Sequence, residues 1–222
     1  MREKQFVSGE FFHIFNKSIS GYRIFKDPSN AGRFINVLDY YNNLTVSESF
    51  SKAIRRNVFT PQNLLYPKET PLLKFISYCV MPDHYHLLVK ILKDYWLSKY
   101  MNNVESAFSH FFNIKFERKG PLWESNFKVV RITSNEQLLH VSRYIHLNPT
   151  SSSLVDKPED WEFSSYRDFI TDEKVLEIYL PEISIRNKIH YRRFVEDQKD
   201  YQRKLKLIRN MILESQVGRR SV

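Results

Sequence analysis

The sequence predicts an α+β fold followed by a basic helical C-terminal extension, and three observations support this prediction. Segments that read as strands and helices alternate along the chain in the order β, α, β, α, β, α, which favours helices packed on a sheet. Of the 222 residues, 42% are hydrophobic, which is enough for a sizeable core. The composition then changes near residue 180, and residues 186–220 contain 11 Lys or Arg against 4 acidic residues.

The first half of the chain contains two strand-like segments separated by a helix and a loop. Residues 11–16 (FFHIFN) are short and aromatic, as in a strand. Asp27 and Pro28 have the character of an N-cap and first helical residue, and apolar residues follow at helical spacing. Residues 44–70 contain Pro61 and Pro67, and Pro71 follows directly, which predicts a connecting loop with a helical piece. Residues 75–91 (FISYCVMPDHYHLLVKI) then predict one buried strand, or two, because Pro82 cannot donate to a ladder.

The second half is predicted to contain helices on either side of one more strand. Apolar spacing predicts a helix over residues 94–119 that Gly120 and Pro121 terminate. Residues 126–132 alternate like a strand. A capping box at Ser134 opens a helix that we expect to end at Pro149. After an irregular segment and a short helix, residues 176–222 are predicted to form the basic helical extension of a domain spanning residues 1–175.

Charge and composition favour a nucleic-acid partner. The formal net charge is +9, and the chain has 17 Phe, 13 Tyr and 3 Trp. Cations neutralise phosphates and aromatic rings stack on bases. Cys79 stands alone, which excludes an internal disulfide framework and a cysteine-based zinc cluster. No apolar run has the length of a signal peptide core or a membrane helix, so we expect a cytoplasmic protein without a membrane partner.

Two histidines interrupt the apolar stretch of residues 75–91. Side chains two apart on a strand share a face, so His84 and His86 are predicted to lie side by side. Two neutral imidazoles in this arrangement suit a divalent metal ion. The alternative is structural, with one histidine satisfied in the core and the other on the surface. Asp83 is expected to point to the opposite face and to have a role in the turn beside Pro82.

A metal site would need further ligands, and the helix of residues 134–148 offers them. Tyr144 and Asn148 are four apart and share a helical face. Asn148 could give an amide oxygen to the ion while Tyr144 presents its phenolic oxygen. His140 is a rival ligand, and an ordinary amphipathic core role is the alternative for Tyr144.

Four ordered blocks resemble the HUH single-tyrosine transposases, in the REP-associated branch of the IS200-like family. They are MPDHYHLLV (81–89), RYIHLNPTSSSLVDKPEDWEFSSYRDF (143–169), FNKSISGYRIF (15–25) and GPLWESNFKVVRI (120–132). Together they span roughly residues 10 to 170. The sequence departs from the family pattern at Asn16-Lys17-Ser18, at Tyr85 between the histidines, and at Glu124 and Ser125. These departures leave the DNA specificity open.

The resemblance implies a fold like an RNA-recognition motif or ferredoxin, with an antiparallel sheet packed on helices. It also implies an enzyme that cuts and rejoins single-stranded DNA, preferentially with hairpin repeats. Carried over residue by residue, it makes His84 and His86 metal ligands, Tyr144 the nucleophile and Asn148 a polar metal ligand. The expected cofactor is Mg²⁺ or Mn²⁺, and the expected intermediate is a 5′-phosphotyrosine.

The candidate DNA-binding residues are lysines and arginines that lie close in sequence to the candidate site residues or within the C-terminal extension. Arg23, Lys128, Arg131 and Arg143 could contact phosphates, as could Arg192 and Arg193. A solvated surface role is the alternative for each. No glycine-rich phosphate loop is visible, so no nucleotide cofactor is expected. The sequence leaves open whether the protein is a monomer or a homodimer.

Two other functions compete with the transposase. A domesticated relative could bind DNA hairpins without cleaving them, although a pure binding protein has no need of both histidines, Tyr144 and Asn148 together. A metallohydrolase using activated water would need a carboxylate base, and no HExxH pattern is present.

Overall fold

The computed structural model describes residues 6–183, 185 and 187–203. Its framework is one four-stranded antiparallel sheet with the strand order β2-β3-β1-β4. The strands are β1 (Phe11–Lys17), β2 (Leu73–Val80), β3 (His84–Ile91) and β4 (Lys128–Ile132). Within the described ranges, no helix is both long and apolar enough to cross a membrane. The predicted α+β class with an antiparallel sheet packed on helices is confirmed.

Residues 75–91 form most of β2, all of β3 and the turn between these strands. Pro82 lies in the turn between β2 and β3, where its missing N–H is not needed by the ladder. The turn is closed by the Met81 N–H, which donates to the His84 carbonyl at 2.8 Å. The two-strand alternative predicted from Pro82 is therefore the correct one.

One face of the sheet is covered by α1 (Pro28–Tyr41) and α3 (Leu97–Lys115). The Asp27 carboxylate caps α1 by accepting from the Ser29 N–H at 2.9 Å, as the sequence predicted. Aromatic rings fill the space beneath these helices, with the centroids of Phe34 and Tyr85 5.0 Å apart. The short helix α2 (Phe50–Arg55) lies in the loop between α1 and β2.

The opposite face is covered in part by α4 (Asn135–Ser151), which packs on β2 and β3. The Ser134 hydroxyl caps this helix by accepting from the Gln137 N–H at 3.1 Å. Beyond the helix, at the β4 edge, Lys128 and Val130 remain exposed. This face of the sheet is thus closed over β2 and β3 and open at β4.

The prediction that α4 ends at Pro149 is wrong, because the helix continues to Ser151 with the proline inside it. Proline removes one helical N–H and crowds the preceding turn. Pro149 lies close to the C-terminal end of α4, so a bend at the proline displaces only the last residues of the helix. The last turn is held by the Thr150 hydroxyl, which donates to the Leu147 carbonyl at 2.9 Å, and by the Ser152 N–H, which donates to the Asn148 carbonyl at 3.0 Å.

Among the described residues, three more α-helices follow α4: α5 (Tyr166–Thr171), α6 (Glu173–Ile183) and α7 (Lys188–Glu196). The predicted domain boundary at residue 175 falls inside α6, and the division into domains stays a prediction. Residues 204–222 of the predicted extension lie outside the described residues. In the described part, the extension packs on α4 and α5.

A buried polar cluster joins α7 to α4. His146 is fully buried, and burial lowers its pKa to about 3, so the imidazole is neutral. Its Nδ1 lies 2.7 Å from the Tyr191 hydroxyl and its Nε2 lies 2.8 Å from the Ser165 hydroxyl. The Tyr191 hydroxyl is also hydrogen-bonded to the Ser142 hydroxyl. Each ring nitrogen of His146 therefore has a partner.

The substitution Tyr191→Phe should lower the free energy of unfolding by about 1–3 kcal/mol, because it strands polar groups of His146 and Ser142 in the core. Urea denaturation would measure the loss. As a control, Tyr201→Phe removes the hydroxyl of a tyrosine that is 59% exposed and should change stability by less than about 0.5 kcal/mol. Equal stability of the two variants would contradict this role of the cluster.

Candidate functional site

The two histidines of β3 lie on the face that α4 partly covers. Their ring centroids are 5.1 Å apart, as expected for alternate residues of a strand. His86 is 6% exposed, whereas His84 is half-buried. The predicted juxtaposition of the pair is confirmed, and each imidazole has a specific neighbour.

The neighbour of His86 is a third histidine, on β1. His13 Nε2 lies 3.0 Å from His86 Nδ1, and the two rings are stacked with centroids 5.1 Å apart. Burial lowers the pKa of His13 to about 4, so this imidazole is neutral near pH 7. One ring nitrogen donates to the other, which couples the tautomers of the two histidines.

The neighbour of His84 is the carboxylate of Asp83. The Nδ1 atom of His84 lies 2.6 Å from Asp83 Oδ1, and Lys17 Nζ lies 3.5 Å from the other carboxylate oxygen. Burial alone would raise the pKa of Asp83, but the interactions with His84 and Lys17 outweigh it, so the pKa is lowered. The expectation that Asp83 points away from the pair is wrong. Asp83 belongs to the turn before β3, where strand alternation does not constrain its side chain.

Tyr144 of α4 faces the histidines from across the sheet surface. Its ring centroid lies 5.4 Å from that of His86 and 6.2 Å from that of His13. The side chain is 43% exposed, so its phenol is accessible to a large substrate. Helix α4 and strand β3 therefore bring together the tyrosine and the histidines that the sequence singled out.

His84, His86 and Tyr144 border a cavity of about 590 Å³. Three cations and two carboxylates contribute to its wall together with the aromatic residues. The cavity is therefore suited to a ligand that combines phosphate groups with flat apolar surfaces. The lining residues central to the site are Phe15, Lys17, Arg23, Asp83, His84, His86, Glu124, Lys128 and Tyr144.

The other proposed ligands on α4 lie in different surroundings. Asn148 is 3% exposed and is not among the residues that line the cavity. Its side-chain nitrogen is buried without a hydrogen bond to any described residue. His140 is half exposed, and its Nδ1 accepts from the Arg143 guanidinium at 2.7 Å. The role of Asn148 stays a prediction.

Two of the six predicted DNA-binding cations line the cavity, and the other four lie elsewhere. Arg23 and Lys128 line the cavity. Arg131 projects from the other face of β4 and pairs with the Glu10 carboxylate at 2.5 Å. Arg143 packs its guanidinium over the Phe194 ring at 4.3 Å, and burial lowers the pKa of this arginine. In α7, Arg192 lies 3.5 Å from Glu159, while Arg193 is exposed.

A buried carboxylate supports the site from beneath β1. Glu105 Oε1 accepts from the Asn16 side-chain amide at 2.8 Å and from the Tyr85 hydroxyl at 2.7 Å. Burial raises the pKa of Glu105, and these two hydrogen bonds offset part of the increase. Asn16 also donates to the Ser125 carbonyl at 2.9 Å, which ties the loop before β4 to β1.

The sequence interpretation missed His13, Lys17 and the functional orientation of Asp83. The signal for His13 was the same as that for the β3 pair, an imidazole within an aromatic strand. It could be connected to His86 only through the pairing of β1 with β3, in which Phe15 lies opposite His86.

The histidine pair has the surroundings of metal ligands. A metal-binding histidine commonly has its other ring nitrogen hydrogen-bonded to a carboxylate or another acceptor, and here Asp83 and His13 are so placed at the Nδ1 atoms. Among the described residues, however, no group of three or more His, Cys, Asp or Glu could hold an ion. A metal would therefore need an amide, a substrate oxygen or water in addition to the two imidazoles.

Each of the three comparisons with known proteins matches a transposase. Residues 67–148 match the family model described as transposase IS200 like. A protein of Haemophilus influenzae named as a REP-associated tyrosine transposase is 25% identical over 111 residues, which cover 46% of this chain and 60% of that relative's length. A solved structure of a REP-associated tyrosine transposase bound to a REP hairpin has the same fold, with a TM-score of 0.52, 15% identity, and coverage of 76% of this chain and 83% of that one.

Residues 67–148 contain both histidines of β3, Tyr144 and Asn148, so the matched segment holds the central residues of the site. This segment is thus similar to the IS200-like transposases, and the chain spans 60% of the length of the REP-associated relative that it matches.

Removing the carboxylate of Glu105 should destabilise the floor of the site. In Glu105→Ala, the Asn16 amide and the Tyr85 hydroxyl lose their acceptor, and each stranded donor costs about 1–3 kcal/mol. Glu105→Gln retains an oxygen that both donors can reach, so its loss should be smaller. Urea denaturation of both variants tests this, and equal stability of the two would contradict it.

Proposed function

We propose that this protein is a DNA transposase that cleaves and rejoins single-stranded DNA through Tyr144. The observation that carries the proposal is the position of this tyrosine. It is solvent-accessible at the border of a cationic cavity, and its ring lies 5.4 Å from that of His86. A tyrosine with only a core role would not need such exposure.

The reaction begins with attack of the Tyr144 phenolic oxygen on a backbone phosphorus. A new P–O bond to the tyrosine forms as the bond from phosphorus to the 3′ oxygen breaks. The phenolic proton is lost and the leaving oxygen gains a proton, giving a 5′-phosphotyrosine and a free 3′-OH. Attack of a 3′-OH on the phosphotyrosine reverses these changes, so rejoining needs no nucleotide cofactor.

In this proposal, His84 and His86 hold a divalent cation, Mg²⁺ or Mn²⁺, with the amide oxygen of Asn148 as a further ligand. Such a cation polarises the scissile phosphate and helps to orient it. The amide nitrogen and oxygen of an asparagine are assigned from their partners. The unsatisfied amide atom of Asn148 is therefore compatible with an oxygen turned toward a ligand.

The DNA partner is proposed to be a hairpin with single-stranded flanks. The relative of known structure is bound to a REP hairpin. In this chain, Lys17, Arg23 and Lys128 supply positive charge around the cavity, where they can contact the backbone phosphates. A non-cleaving hairpin-binding protein is the second candidate, because these cations would serve binding alone equally well.

The substitution Tyr144→Phe should abolish covalent attachment to DNA, because it removes the attacking oxygen and keeps the ring. The probe is a labelled hairpin with single-stranded flanks, taken from the DNA that flanks the gene and incubated with Mn²⁺. Wild-type protein should give a slow, protease-sensitive band on a denaturing gel, and the variant should give none. Affinity for the probe should change by less than about threefold, since phosphate contacts supply most of the binding.

Tyr95→Phe is the matched control for this experiment. Tyr95 is 66% exposed and precedes α3, so loss of its hydroxyl should leave the covalent band unchanged. Undiminished adduct in Tyr144→Phe would exclude this residue as the nucleophile. Tight binding by the wild type without any adduct would favour the non-cleaving hairpin-binding protein.

The histidine network should determine metal affinity. We expect His84→Ala to abolish measurable Mn²⁺ binding in isothermal titration calorimetry. His13→Phe retains a ring but removes the partner of His86 Nδ1, and loss of such a partner weakens metal binding about 10–100-fold. His110→Phe, at an exposed position of α3, is the control and should bind like the wild type. Unchanged affinity in His13→Phe would show that this histidine does not support the ligand.

A further inference from the structure

A second cavity of about 670 Å³ lies beside the first, between the turn that follows β1 and the end of α3. Its apolar lining consists of aromatic rings. Tyr22 is 63% exposed and Phe116 is 48% exposed, and the Phe116 ring packs on Phe112 with centroids 4.5 Å apart. Exposed rings that border a cavity form a stacking surface for another flat ring.

The cavity also contains positively charged side chains that form no ion pair with the described residues. Arg23 and Lys26 contribute to its wall, and neither lies within 4 Å of a carboxylate oxygen of the described residues. The carboxylate in the cavity, Asp27, is already paired with Lys115 at 2.9 Å. Asn30 is satisfied as well, because it accepts from Lys115 at 2.8 Å and donates to the Ile24 carbonyl at 3.0 Å. The cavity therefore offers aromatic rings, two cations and the Ser20 hydroxyl, while the Asp27 and Asn30 side chains are engaged.

The two cavities share Gly21 and Arg23 as a common wall. This wall adjoins the residues that support the histidine pair. A Cβ atom added to Gly21 would lie 3.9 Å from Lys17 Nζ and 4.0 Å from Asp83 Oδ2. Asp83 in turn holds His84. The second cavity thus begins next to the proposed catalytic residues, within reach of a strand bound there.

We propose that the second cavity binds an unpaired nucleobase of the DNA strand that enters the site, by stacking it on Tyr22 and Phe116. Arg23 and Lys26 would contact the phosphates on either side of that base. This inference rests on the proposed function. Because the Asp27 and Asn30 side chains are engaged within the protein, stacking on the aromatic rings is the main contact that the cavity offers to the base. The binding is therefore tolerant of base identity.

The test uses Tyr144→Phe as the parent protein, so that cleavage does not consume the probe. A set of probes carries a single abasic site or 2-aminopurine at successive unpaired positions on either side of the expected cut. Stacking on an aromatic side chain is worth about 1–3 kcal/mol per base, or roughly 5–150-fold in Kd. Tyr22→Ala should weaken binding of the intact probe by that factor, and Tyr22→Phe should restore it. Tyr95→Ala, before the opposite end of α3, should have no effect.

The parent should bind a probe with an abasic site at one particular position more weakly than it binds the intact probe. For that probe, Tyr22→Ala should cause no further loss of affinity. The same position should give 2-aminopurine quenching that Tyr22→Ala removes. If Tyr22→Ala binds every probe like the parent, the nucleobase subsite is excluded while the transposase proposal stands. If the parent binds none of the single-stranded probes, both proposals are overturned.

Discussion

The pairing of β1 with β3 is the interaction on which the rest of the site depends. It places Phe15 opposite His86 and Lys17 opposite His84. His13, two residues earlier on the same face of β1, then reaches the His86 ring, and Lys17 reaches the carboxylate that holds His84. A shift of one residue in this register would move all three β1 side chains to the opposite face, where the aromatic core lies. The strand register therefore determines the hydrogen-bonding of both histidines.

The site rests on two buried polar clusters, one on each side of the sheet. On the α3 side, Glu105 joins Asn16 and Tyr85 beneath β1. On the α4 side, His146 joins the helix of Tyr144 to Tyr191 of α7. Burying such groups is costly unless they are hydrogen-bonded, and most of the groups in these clusters have partners. The arrangement favours a single position for β1 and for α4, which are two of the elements that border the candidate site.

Much of this arrangement could be predicted from the sequence because local patterns encode it. Strand alternation placed His84 beside His86, and the capping residues gave the starts of α1 and α4. The end of α4 was predicted wrongly, because the burial of Thr150 and the hydrogen bonds of the last turn outweigh the local cost of Pro149. His13 and Asp83 were missed for a different reason. Their contacts depend on long-range pairing and on a turn conformation, and neither leaves a periodic signal in the chain.

The strand order has a consequence for how the chain is made. β1 is made before the other three strands of this sheet, yet both of its neighbours, β3 and β4, come later, and β4 ends at Ile132. The β2–β3 hairpin can form locally, whereas β1 must wait for distant partners, and such long-range pairings form slowly. During synthesis, the aromatic strand FFHIFN therefore has an incomplete ladder until the segment ending at Ile132 has been made. This segment is the one through which we expect newly made chains to associate with each other or with a chaperone.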